Sequence, residues 1–147
     1  MDCVFCKIVS GEFDSAKIWE DEEFLVILDN NPNVKGMALV MTKKHFDSYA
    51  FAMPDDAFLR LMGACKKVGL LLDEKLGTAR TTMVIEGMGV NHVHVKLYPM
   101  HGLEKEFRVI EAKEKVFFDD YPGYITTLLG PKAELSELKK LAEKIKD

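Results

Sequence analysis

The chain has 147 residues, 48% hydrophobic and 30% charged, with a formal net charge of −4. That is the profile of an ordinary globular protein with one substantial core, and its acidic balance argues against a general nucleic-acid or membrane-surface binder. No apolar run approaches the roughly 20 residues of a membrane span, the first residues do not open a signal peptide, and three cysteines, an odd number, point to a reducing, cytoplasmic setting rather than a disulfide framework.

In chain order, the first notable feature is Cys3-Val4-Phe5-Cys6. Two thiolates at that spacing can converge on one ion and make half of a tetrahedral zinc site. A redox pair is the alternative, but no helix start follows Cys6 as a thioredoxin-like site requires. Two unpaired thiols near a terminus are the third reading. Glu20-Asp21-Glu22-Glu23 is a charged turn leading into Phe24–Leu28, an apolar run of strand length. Asp29-Asn30-Asn31-Pro32-Asn33 is a loop by composition, and after Gly36 the run Met37–Met41 reads as a second strand that leads to His45.

Pro54-Asp55-Asp56 is a helix-start signal, followed by Phe58, Leu61, Met62, Cys65, Val68, Leu71 and Leu72 at spacings of three and four. The pattern predicts a long amphipathic helix ending near Gly77. Thr81–Ile85 is a third strand, and Glu86-Gly87-Met88-Gly89 a tight connection. The next segment, His92-Val93-His94-Val95-Lys96-Leu97, alternates strictly and is therefore a strand. His92, His94 and Lys96 are expected on one face, with Val93, Val95 and Leu97 in the core behind. Two imidazoles beside an ammonium repel when protonated, so the arrangement points to chemistry on an anionic substrate. Near the C-terminus Pro131 is placed to open a helix carrying the stripe Leu135, Leu138, Leu141 and Ile145. The fold class is α+β, in one domain spanning 1–147 with a core at about 3–101 and an extension at about 102–147.

Cys3-x-x-Cys6-Lys7-Ile8, Leu28-Asp29 before a Pro-containing loop, Gly36 before a strand, Lys44-His45 and His92-x-His94-x together resemble the histidine triad (HIT) superfamily. The match runs from about Cys3 to Pro99 in the family's order. The resemblance implies an antiparallel sheet with packed helices, and a homodimeric nucleotide hydrolase or transferase acting on small-molecule nucleotides. It places the nucleophile on His94 and the ribose-binding carboxylate on Asp29. It assigns Cys3, Cys6, His45 and His92 to a structural zinc ion.

Two departures stand out. Lys96 occupies the third histidine position of the signature, where it keeps a positive charge for phosphate oxygens. His101, beyond the turn at Pro99, is a candidate to supply the missing imidazole. The family's longer phosphate-contacting loop is here shortened to Gly87–Asn91, with Asn91 as the candidate stand-in. Phe5, Ile8, Phe24 and Leu28 are candidates for an apolar slot around a base. The changed third position also leaves open a zinc-stabilised nucleotide-binding module without turnover, and the cysteine pair a redox or metal-handling protein.

Overall fold

The computed structural model describes residues 2–127 and 130–145; residues 1, 128, 129, 146 and 147 of the expected domain lie outside them. Its organising feature is a strand pair buried on both sides. β2 (Phe24–Leu28) and β3 (Ala38–Thr42) run antiparallel, in register from Phe24 opposite Thr42 to Leu28 opposite Ala38. Both read as unbroken apolar runs because alternate side chains enter opposite cores. On one face Phe24, Val26, Ala38 and Val40 pack with Leu61, Cys65, Val68 and Leu72 of α2 (Asp55–Leu76). On the other, Leu25, Ile27, Leu39 and Met41 pack with Phe5 and Ile8 of a short helix, α1 (Val4–Val9).

Three further strands complete the sheet: β1 (Lys17–Glu20), β4 (Thr81–Val84) and β5 (His94–Pro99). The order is β1-β2-β3-β5-β4, and every pairing is antiparallel. β5 thus lies next to the buried β3, and its Val95 and Leu97 join the α2-side core together with Val93. α2 begins after Pro54 with Asp55 and Asp56 in its first turn, where carboxylates suit the positive end of the helix dipole. It stops at Gly77, whose φ of +66° caps the helix in a left-handed conformation that side chains resist.

The predicted α+β fold is present, with differences at four elements. α1 was not expected: the chain turns helical directly after Cys3, and six residues are too few for a periodic signal. β1 is a half-buried edge strand of four residues, likewise too short to read. β5 starts at His94 rather than His92, because Val93 N–H donates to Phe46 outside the strand ladder and His92 turns aside. The last helix, α3 (Leu135–Ile145), begins four residues after Pro131, with the Glu134 carbonyl accepting the first helical bonds.

By its packing the chain forms two units, Met1–Phe107 and Arg108–Asp147. The first holds the whole sheet, α1 and α2. The second holds α3 and an edge-to-face ring pair, Phe118 and Tyr124, with centroids 5.7 Å apart. Among the described residues, no helix is long and apolar enough to cross a membrane.

Leu61 is fully buried in the α2-side core. Truncating it leaves a cavity that the sheet above cannot collapse to fill. Leu61→Ala should lower stability by about 2–5 kcal/mol, seen as a lower urea midpoint with an unchanged m-value.

Candidate active site and metal centre

Because Val93, Val95 and Leu97 point to α2, His94 and Lys96 must face the α1 side, where β3 sets Met41 beside His94 and Leu39 beside Lys96. His94 is only 4% exposed. The edge of the Phe5 ring covers it, with ring centroids 5.0 Å apart. Its Nδ1 lies 2.7 Å from the carbonyl oxygen of His92. A carbonyl can only accept, so Nδ1 carries the hydrogen and Nε2 keeps its lone pair. Burial pushes the His94 pKa below the ordinary imidazole value; the bond to the His92 carbonyl opposes this, Lys96 adds to it, and Asp29 and Glu86 oppose it. The result is a neutral ring, held in one tautomer and armed at Nε2.

Lys96 does not stand free. Its Nζ donates to Glu86 Oε2 at 3.1 Å, with the two side chains 25% and 12% exposed. Asp29 lies just past β2. Its N–H donates to the Met37 carbonyl and its Oδ1 accepts the N–H of Asn31 at 2.8 Å, which fixes the start of the loop. Its charge acts on His94 across β3. The structure therefore gathers His94, Lys96, Glu86 and Asp29 into one field on the α1 face.

A second group lies just before the start of β5, around His92. Among the described residues, Cys3, Cys6, His45 and His92 present ligand atoms that all lie within 4.8 Å of one another. Cys3 Sγ is 3.4 Å from His92 Nδ1, Cys6 Sγ is 3.4 Å from His45 Nδ1, and Cys6 Sγ is 3.6 Å from His92 Nδ1. Zinc bonds of about 2.3 Å to sulfur and about 2.0 Å to nitrogen in a tetrahedron put ligand atoms roughly 3.5 Å apart. The four residues fit. Their chemistry agrees: His92 Nε2 donates to the Thr42 carbonyl at 2.8 Å, so its Nδ1 is the bare nitrogen facing the cluster. Burial, with the adjacent Cys3 sulfur, raises the Cys6 thiol pKa, a tension that a cation would relieve.

Asn91 sits beside this cluster. It donates to Asp47 Oδ1 at 3.0 Å and accepts from the Ser48 N–H at 2.9 Å, while Asp47 Oδ1 lies 3.5 Å from His45 Nε2. Asn91 thus clips the loop after β3 to the loop before β5. His101 lies beyond the opposite end of β5, with Nε2 donating to the Lys35 carbonyl at 2.8 Å.

The HIT domain family model matches residues 10–103. The chain belongs to the HIT family. It is 38% identical over 104 residues to an uncharacterized HIT-like protein of Methanocaldococcus jannaschii, covering 67% of this chain and 79% of the relative. It is 32% identical over 100 residues to the adenosine 5′-monophosphoramidase hnt1 of Schizosaccharomyces pombe, covering 67% of this chain and 74% of that one. A zinc-bound histidine triad family protein from Mycobacterium smegmatis superposes with a TM-score of 0.65 at 30% identity, covering 74% of this chain and 82% of the other.

The candidates for an apolar base slot divide between the two faces of the sheet, and Glu86 beside Lys96 has no signal in the sequence pattern alone. Of the four slot candidates, Phe24 and Leu28 pack on the α2 side while Phe5 and Ile8 lie on the side of His94. Glu86 was read as part of a turn. The available signal was register: Val84 pairs with Lys96, and two residues further on the same face comes Glu86.

Purified protein should carry about one zinc per chain, with Cys6→Ser losing it. Chelation should lower the melting temperature by several degrees, since a closed four-ligand site stabilises only the folded chain. Metal analysis paired with calorimetry checks both.

Proposed function

We propose that this HIT domain is a nucleotide hydrolase or transferase. It cleaves at the α-phosphate of a purine nucleotide conjugate, a dinucleoside polyphosphate or nucleoside phosphoramidate, through a nucleotidyl-histidine intermediate. The observation that carries the reading is the buried His94 ring, with Nδ1–H committed to the His92 carbonyl and Nε2 left bare. The phosphoramidase name of the Schizosaccharomyces pombe relative supports the reaction class.

Nε2 of His94 attacks the α-phosphorus, and the bond to the leaving group breaks with its electron pair going to that group. The ring becomes cationic as the Nε2–P bond forms. Its Nδ1–H bond to the His92 carbonyl then becomes charge-assisted and roughly twice as strong. Water next attacks the phosphorus, loses a proton and releases nucleoside monophosphate, returning the neutral ring. Lys96 faces the phosphoryl oxygens, and Asp29 accepts from the two ribose hydroxyls. A zinc ion on Cys3, Cys6, His45 and His92 would be closed to substrate and would supply only structure. His101 has no step here, its ring being bonded to Lys35 beyond the far end of β5. Asn91 likewise serves the loops around the metal group. On the family resemblance and the free cysteines, the working form is a cytoplasmic homodimer.

The Lys96–Glu86 pair favours one competing reading, a zinc-stabilised nucleotide-binding module with little turnover, because no imidazole stands at the third triad position. Release of AMP from adenosine phosphoramidate and diadenosine polyphosphates separates the two. Wild type should turn over, and His94→Gly should fall by at least about 1,000-fold while still binding AMP. Folded wild type that binds AMP and releases none would leave the module reading standing. Asp29→Asn should lower kcat/KM by about tenfold, mainly through KM, as expected for loss of a charged acceptor to the ribose.

A further inference from the structure

Glu86 lies where the substrate's negative charge must be handled, and the nucleotidyl-transfer reading gives it no role. It is tied to Lys96 at 3.1 Å, and the side chain is only 12% exposed. So placed, the carboxylate is poorly screened by water and salt. Its position in the sheet is defined. Val84 pairs with Lys96, which puts Glu86 on the β4 flank of β5. Asp29 lies on the opposite flank, beyond β3. The two carboxylates act on the same neighbours, His94 and Tyr98.

Asp29 and Glu86 bring two carboxylates to this pocket, and the Lys96 ammonium between their flanks is already paired with one of them. That is a poor receptor for a polyanion. A pocket built for a polyphosphate would present its ammonium unpaired, or several cations together. Here the cation nearest the nucleophile along β5 is already paired with a shielded carboxylate. Lys96 keeps two further N–H donors, enough to hold the oxygens of one phosphoryl group. It has little charge left for further phosphates.

We propose that Glu86 is a specificity-determining residue that selects the leaving group by charge, admitting an amine and opposing a polyphosphate. This rests on the nucleotidyl-transfer reading of the site. With ribose at Asp29 and the α-phosphorus at His94, the Lys96–Glu86 flank borders what lies beyond the phosphorus. For a phosphoramidate, the P–N bond breaks as the Nε2–P bond forms, and the nitrogen keeps the electron pair, takes one proton from water and departs as an amine. Glu86 favours such a group as it becomes a proton carrier. For a dinucleoside polyphosphate, the P–O bond breaks and the oxygen departs as part of a multiply charged phosphate, which Glu86 repels. At the reduced effective dielectric of a shielded site, like charges a few ångströms apart shift rates by tenfold or more.

The test is kcat/KM for AMP release from adenosine 5′-phosphoramidate and from diadenosine tetraphosphate, for wild type, Glu86→Gln and Glu86→Asp at one ionic strength. Wild type should favour the phosphoramidate. Glu86→Gln should raise the relative kcat/KM of the tetraphosphate by at least about tenfold, and Glu86→Asp, which keeps the charge, should hold the wild-type ratio. A ratio in Glu86→Gln within about twofold of wild type would overturn the proposal while leaving nucleotidyl transfer intact. So would a wild-type preference for the tetraphosphate, a result that decides the matter even if Glu86→Gln does not fold. AMP release from neither substrate by folded wild type would instead remove the underlying reading, and this proposal with it.

Discussion

The carbonyl of His92 fixes the ring of His94, and the rest of the site depends on where that carbonyl points. Two residues apart, the pair would swing freely in an unsupported loop. His92 prevents this because its own ring is held at both nitrogens: Nε2 donates to the Thr42 carbonyl and Nδ1 faces the two cysteine sulfurs. A peptide unit whose side chain is pinned to β3 and to the N-terminal segment cannot rotate. The bond it offers to His94 is worth about 1 kcal/mol while the ring is neutral and roughly twice that once it is cationic. A contact that strengthens as the intermediate forms lowers the barrier, whereas one of constant strength would only tighten binding.

The same segment supplies framework and cover. Cys3 stands at the N-cap of α1 and Cys6 lies three residues on, so one helical turn delivers both sulfurs to the same side. Phe5, between them, lays its ring edge against both His92 and His94, with centroids 5.8 and 5.0 Å away. Both sulfurs and the ring that packs on His92 and His94 are therefore supplied by one short segment packed on the sheet. Losing this helix from the sheet would loosen all three together. That coupling ties the group of Cys3, Cys6, His45 and His92 to the His94 ring through one element.

Much of this was legible in the sequence where a period was long enough to read. The alternation from His94 to Leu97 matches the faces of β5, and Pro54, the acidic first turn and Gly77 bound α2. The four metal-group residues were named from the resemblance, and the fold brings them together. What was lost was lost for local physical reasons. β2 is buried on both sides, so its unbroken run hides parity, and Phe24 and Leu28 were grouped with Phe5 although they pack across the sheet. α1 spans barely more than one turn. His92 left the strand pattern because its ring is drawn aside to Thr42 and the sulfurs. Glu86 became visible only with the register of β4 against β5, information that no single strand contains.

On the proposed reading, Lys96 at the third triad position changes the division of labour more than a one-residue difference suggests. An imidazole there can exchange a proton near neutral pH; an ammonium clasped by a carboxylate holds charge in place instead. Its neighbours are arranged to match. His94, 4% exposed, sits where a cation would be expensive to bury, and that burial holds its pKa below the ordinary imidazole value. Lys96 lies one step further along the same face, where its side chain reaches partial exposure and a partner. A gradient from dry nucleophile to wetter ion pair thus runs along two successive positions of β5. In the proposed reaction Lys96 shuttles no proton to the leaving group, which takes one from water or brings its own. An amine accepts a proton readily and a polyphosphate anion has no need of one. In the proposed reaction the proton balance and the charge balance of the pocket therefore act together on the leaving group, through Lys96 and Glu86 on the flank of β5.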